Sequence, residues 1–254
     1  MSADTPQPHL PWIESQDPLP PVESAWGPDT EAPGLLAAGA DLGVDRLVEA
    51  YGQGIFPWFN PDQPVLWWSP DPRMVLKIED FKLHRSLRKT LNRYAAHPQF
   101  ELCFDRSFNQ VIEACAQSPR EGQKDTWIVP AMIDAYKALH HAGHAHSAET
   151  WLDGKLVAGL YFVCIGRAVF GESMFSNISD GSKMALAALV QVCQRHGVEA
   201  IDCQQNTAHL ASMGAQEMTR EAFLQFTHQA KQAPSLDWKK ATVDWDPWRN
   251  AKTA

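Results

Sequence analysis

The 254-residue sequence contains no run of eighteen apolar residues, which excludes a membrane-spanning helix of ordinary length. Its opening, acidic and proline-bearing, lacks the basic start and apolar stretch of a secretory signal. Cysteine is scarce. Cys103, Cys115, Cys164, Cys193 and Cys203 are odd in number and form no CxxC pair, so they read as reduced thiols in a cytosolic protein, not as a disulfide frame or a zinc cage. No Walker loop and no GxGxxG is present. Gly171-Glu172-Ser173 invites comparison with a serine nucleophile elbow, but that motif needs a glycine two residues past the serine, where Phe175 stands. Bases are nearly absent from the first fifty residues, where nine carboxylates accompany Arg46 alone. That segment accounts for the whole formal charge of −8, and the rest of the chain balances. An acidic total therefore does not exclude nucleic-acid binding.

Residues 1–32 read as an irregular, acidic, Pro-rich segment, since eight of the eighteen prolines lie in the first 33 positions. From Gly34 the chain leads into a short helix with Asp41 as cap and Leu42, Leu47, Val48 and Tyr51 as its apolar face. The stretch 55–73 holds five prolines and three tryptophans: too many breakers for regular structure, too much aromatic surface for a solvated loop. It should wrap over something apolar, and a small N-terminal domain over 33–70 is expected to join a larger one over 71–232. Within the larger part, periodicity predicts strands at 74–78, 100–104, 145–152, 156–165, 168–175 and 199–203. Helices are predicted at 84–95, 108–116, 130–141, 182–196, 208–213 and 220–230. Asp153-Gly154 between alternating strands is a strong hairpin signal. The expected class is α+β, a mixed sheet flanked by helices with an antiparallel meander at its centre. The tail over 233–254 has no readable pattern.

Several residue groups could carry chemistry. Lys82 to Arg93 holds five positive charges and no carboxylate, and on a helix Arg85, Arg88, Lys89 and Arg93 share one face while Leu87, Leu91 and Tyr94 take another. Such a face suits a phosphate backbone, and equally a solvated surface. Glu172, among Phe170, Met174 and Phe175, must find a cationic or donor partner or else face water at a strand end. Asp202 and Gln204 fall on the same strand face by the two-residue period, where they can hold a polar substrate and orient a proton, or serve a purely structural bond. Cys203, on the other face, reads as core. His140 and His144 have metal-ligand spacing, but Gly143 interrupts the helix and no zincin Glu follows, which favours a helix-end turn over a metal.

The blocks Tyr51-Gly-Gln-Gly-Ile-Phe-Pro-Trp58-Phe, Leu66-Trp-Trp-Ser-Pro-Asp-Pro-Arg73, Thr126-Trp127-Ile, Gly143-His-Ala-His-Ser147, Gly171-Glu-Ser-Met-Phe-Ser176, Ile201-Asp-Cys-Gln204 and His209-Leu-Ala-Ser-Met-Gly-Ala215, in that order, resemble the leucyl/phenylalanyl-tRNA–protein transferases over roughly residues 33–230. The resemblance implies an enzyme of bacterial cytosol that moves leucine or phenylalanine, methionine less well, from aminoacyl-tRNA to the α-amine of proteins beginning with Arg or Lys. The product is a mark for N-end-rule degradation. It implies an acetyltransferase-like (GNAT) larger domain, no cofactor, no metal and no membrane partner. By position, Trp58 and Trp127, with Gly171, match the site of the terminal adenosine, and Glu172, Asp202 and Gln204 match the catalytic centre. Arg85, Arg88, Lys89 and Arg93 fall where the family grips the acceptor stem. Met174, Phe175, Leu186 and Leu189 are the expected amino-acid pocket. In the mechanism this suggests, Asp202 orients Gln204, Gln204 holds the incoming amine, and Glu172 pairs with the substrate's cationic groups. Asn177 and Asp180-Gly181 depart from the family pattern at a phosphate contact that Lys183 could replace, and Val169 and Cys193 stand where aromatic side chains can line the pocket. Two rivals are a CoA-dependent N-acetyltransferase, disfavoured because Asn177–Lys183 occupies the place of the pyrophosphate loop, and a non-catalytic tRNA-binding module.

Overall fold

A computed structural model describes residues 9–118, 128–246 and 248. The N-terminal part is a four-stranded sheet of order β1-β2-β4-β3, made of β1 (Trp12–Ile13), β2 (Leu35–Gly39), β3 (Phe56–Pro57) and β4 (Leu66–Trp68), with α1 (Val44–Gly52) between β2 and β3. Residues 35–39, to which the sequence assigns no element, form a strand buried at every position and paired with β1 on one side and β4 on the other. Breaker-rich 55–73 contains two very short strands, and its indoles are satisfied locally: Trp67 Nε1 donates to the Gly39 carbonyl at 3.0 Å and Trp68 Nε1 to the Trp58 carbonyl at 2.6 Å. The segment read as irregular supplies β1, which pairs in parallel with β2.

The larger part is a mixed α+β array. Its elements are β5 (Arg73–Lys77), α2 (Arg85–Ala95), β6 (Phe100–Phe104), α3 (Phe108–Gln117), α4 (Pro130–His141), β7 (Ala145–Leu152), β8 (Lys155–Ile165), β9 (Ala168–Ser176), α5 (Gly181–Arg195), β10 (Ala200–Gln204), α6 (Ala208–Ser212), β11 (Gln216–Met218) and α7 (Arg220–Ala230). The sheet order is β11-β5-β10-β9-β8-β7-β6, antiparallel throughout except for β9 and β10. The β7–β8 turn places Asp153 and Gly154 at φ 52° and 72°, the left-handed pair that an Asp-Gly hairpin requires. Strand β11 was not foreseen; three residues are too few to show a period.

Strand alternation sorts the sheet into two cores. One face, with Val75, Ala168, Phe170 and Ala200, packs under α3, α4 and the N-terminal sheet as one continuous cluster. The other, with Leu76, Val169, Phe162 and Ile201, packs on α5, whose residues 184–193 are all buried. The tail closes this second face: Trp238 is buried beside Phe162 at 4.7 Å between ring centroids, and the Gln191 carboxamide exchanges two hydrogen bonds with the Asp244 backbone.

Candidate active site

Strands β9 and β10 are in register only at Val169–Ile201 and Phe170–Asp202. Beyond that point β9 stays with β8 and β10 stays with β5, so the parallel pair parts. A cavity of about 270 Å³ lies in the gap, lined by Gly171, Met174, Leu186, Leu189, Cys203 and His209 among others. Glu172 sits at its wall. In β9 it is the extra residue of a bulge, since Phe162 faces Gly171 and Tyr161 already faces Ser173. Freed from the ladder, its side chain meets two helices. Tyr51 Oη of α1 donates to Oε1 at 2.7 Å, Tyr136 Oη of α4 donates to Oε2 at 3.2 Å, and Gln204 Nε2 donates to Oε1 at 2.9 Å. The two tyrosine hydroxyls also touch each other.

Burial pushes the Glu172 carboxyl up to about 8, and the Asp202 charge adds to it; the tyrosine hydrogen bonds and Arg73 pull the other way without winning. The same burial, followed by the Glu172 charge, raises both tyrosines well above their ordinary value, so they remain neutral donors. The cavity mouth thus holds an acid poised near neutrality inside a cage of donors.

Asp202 is held by a partner that the sequence did not reveal. It is 2% exposed and its carboxylate faces Arg73, which is fully buried, through Nε–Oδ1 at 2.9 Å and Nη2–Oδ2 at 2.7 Å. It orients Gln204 through the backbone, accepting the Gln204 N–H at 2.8 Å. The side-chain alternation assumed from sequence fails at this strand end: pairing with β5 slips between Asp202 and Gln204, and Gln204 takes φ 61°.

Phe175 is a correction to the expected pocket. It packs against Gly159 in the first core and does not line the cavity. Cys203, read as core, packs against the second core and also lines the cavity. Met174, Leu186, Leu189 and Gly171 all line it. Trp58 does not. Its ring lies 5.3 Å from that of Trp68 at a separate cavity of about 260 Å³, with Leu35, Phe59 and Leu66. Trp127 lies outside the described residues, and the described lining of the Glu172 cavity contains no indole. Arg85, Lys89 and Arg93 are exposed on α2 and, among the described residues, form no ion pair, while Leu87 and Leu91 are buried; Arg88 is half-buried.

The histidine cluster resolves differently from the pair His140 and His144. Asp105, His140 and His146 gather their ligand atoms within 4.8 Å. Each is already engaged: His146 Nδ1 with Asp105 at 2.7 Å, His140 Nδ1 with the Ala145 carbonyl at 2.7 Å, and Asp105 Oδ1 with the Ser147 N–H at 2.8 Å. This network ties the β6–α3 corner to β7. Sequence reasoning missed Tyr136, Arg73 and the polar use of Tyr51. Tyr51 was assigned to an apolar helix face, and its hydroxyl was the available signal, since a tyrosine facing a core needs a polar partner.

A family model described as leucyl/phenylalanyl-tRNA protein transferase matches residues 75–228, and a model of the N-terminal domain of the same family matches residues 40–71. The chain belongs to the leucyl/phenylalanyl-tRNA–protein transferase family. A relative of that name from Polaromonas sp. (strain JS666) is 56% identical over 236 residues, covering 93% of this chain and 92% of the relative. Another from Burkholderia multivorans is 54% identical over 230 residues, covering 91% of each. Among solved structures, L-PGS from Bacillus licheniformis overlaps 68% of this chain and 53% of its own at 13% identity, with a TM-score of 0.36, too slight a likeness to define the fold.

Proposed function

We propose that this chain transfers leucine or phenylalanine, and methionine less well, from aminoacyl-tRNA to the α-amine of proteins beginning with Arg or Lys, marking them for N-end-rule degradation. The observation that carries the reading is that Glu172, on the wall of an apolar cavity, accepts a hydrogen bond from the Gln204 carboxamide. Met174, Leu186 and Leu189 give the wall an apolar side chain requires. An apolar pocket discriminates by only about 1–3 kcal/mol per methylene, which leaves room for methionine.

The chemistry needs little more than placement. The amine nitrogen attacks the ester carbonyl, the amide bond forms, the bond to the terminal ribose oxygen breaks, and that oxygen leaves with the amine's proton. A protein α-amine has a pKa near 7.7–8.0, so a neutral fraction is present without a strong base. Holding amine and ester together supplies about 7–11 kcal/mol. Gln204 holds the amine. Glu172, raised by burial, ionises when a cationic Arg or Lys approaches, and an uncharged first residue offers no such compensation.

The sheet is read as acetyltransferase-like on the strength of one parallel pair parting within an otherwise antiparallel array. The two sheets favour a unit boundary near residue 70, with β1 belonging to the first unit. Trp58 is assigned to the terminal adenosine because its cavity offers indole faces, each worth about 1–3 kcal/mol per stacked base. The deciding experiment incubates the protein with labelled Leu-tRNA and peptides beginning with Arg, Lys or Ala. Label should enter the first two peptides and not the third; equal labelling of all three overturns the role given to Glu172.

A further inference from the structure

We infer that Arg73 is a positioning residue of the transfer reaction: it occupies Asp202 so that this carboxylate holds the Gln204 backbone in place and does not accept a substrate proton. The inference rests on the function proposed above.

An ionised carboxylate is acceptor-only. Here Oδ1 takes both Arg73 Nε and the Gln204 N–H, and Oδ2 takes Arg73 Nη2. With 2% of Asp202 and none of Arg73 exposed, no substrate reaches either group. The remaining titratable neighbours are Glu172, which contacts the far end of Gln204, and Cys203 in the same strand.

Arg73 is fixed from outside the catalytic sheet. Its Nη1 donates to the Gly54 carbonyl at 3.1 Å, and its guanidinium lies between the rings of Phe56 at 4.8 Å and Phe223 at 4.6 Å. Gly54 has φ 72°, and a Cβ there would stand 2.7 Å from Leu224 Cδ2, so α7 closes directly on the turn that Arg73 grips. Three residues earlier Tyr51 donates to Glu172, which in turn accepts from the Gln204 carboxamide. Gln204 is therefore held at its backbone through Asp202 and Arg73 and at its carboxamide through Glu172 and Tyr51, and both lines end in residues 51–56. A lysine could match the charge of Arg73 but not its planar fork.

The test uses the full chain, Leu-tRNA and an Arg-starting peptide, with kcat, KM, tRNA affinity and circular dichroism measured from pH 5.5 to 9. Arg73→Lys should lower kcat by about tenfold or more, while peptide KM and tRNA Kd stay within about twofold, as removal of an orienting group predicts. Asp202→Asn keeps an acceptor for the Gln204 N–H but removes a charge that helps raise Glu172, so it should lower kcat and move the acid limb downward in pH without abolishing it. The double variant should be no slower than Arg73→Lys alone. A loss of roughly 10²–10⁴ in Asp202→Asn together with a vanished acid limb is what removing a general base does, and overturns the inference. Folded Arg73→Lys at unchanged kcat also overturns it. Should Arg73→Lys fail to fold, the Asp202→Asn pH profile decides alone. A wild-type chain inactive in this assay overturns the functional reading itself, a result separate from any difference among variants.

Discussion

Glu172 is the residue on which pH acts. Its carboxyl is raised from 4.5 to about 8, so between those values the folded chain binds a proton that the unfolded chain has released. Stability contributed here is fully present below the unfolded value and is lost as pH rises toward 8, the reverse of a salt-bridged carboxylate. Glu172→Gln, permanently neutral, should therefore melt higher than wild type at pH 8 and with no such advantage at pH 4.5. An advantage of roughly 2–4 °C corresponds to about 1 kcal/mol in a chain of this size. Transfer to Arg peptides should fall in the same variant, which makes the site a place where stability is given up for function. Tyr51→Phe removes the hydrogen bond that most lowers this carboxyl, and should move the acid limb of the transfer profile upward by about half a unit to one unit. A profile that stays put would mean Glu172 does not titrate in the rate.

At the scale of elements, α2 separates its two jobs by face: Leu87 and Leu91 are buried, while Arg85, Lys89 and Arg93 are exposed. Replacing these three by alanine should weaken tRNA binding and flatten its dependence on salt, with the slope reduced by roughly one for each phosphate left without its cation. Melting temperature should hardly change, because exposed charges contribute little to folding. This helix, and every strand and helix from Phe100 to Ala230 except β11, was readable from the period of its apolar residues. What escaped was decided by partners rather than pattern. Residues 35–39 are too few and too uniformly apolar to show a period, and the two strands that flank them set their state. Asp202 and Gln204 share a face only while the ladder continues, and it slips between them. The same applies to the site: Glu172, Asp202 and Gln204 were identifiable, whereas Tyr136 reaches Glu172 from 36 residues away in sequence and Arg73 reaches Asp202 from 129, distances over which no local spacing carries information.

The whole molecule answers as one body because the N-terminal sheet and the catalytic sheet share a core. Leu36, Tyr51, Ile55 and Trp67 belong to the same buried cluster as Val111, Tyr136, Tyr161 and Phe170. Polar links cross the same boundary, from Arg73 to Gly54, from Tyr51 to Glu172, and from Lys231 Nζ to the Gly52 carbonyl at 2.7 Å. Leu36 lies within the first sheet, fully buried and remote in sequence from every residue of the cavity. Leu36→Ala should cost about 2–5 kcal/mol, as cavity-forming substitutions do. If the shared core governs unfolding, far-ultraviolet dichroism and tryptophan fluorescence will lose signal in a single coincident transition, shifted down as a whole. Two separated transitions, with the catalytic sheet melting at its wild-type temperature, would show that the N-terminal sheet folds beside the catalytic one and not as part of it. The grip of residues 51–56 on Gln204 could not then be as rigid as the hydrogen-bond ring requires.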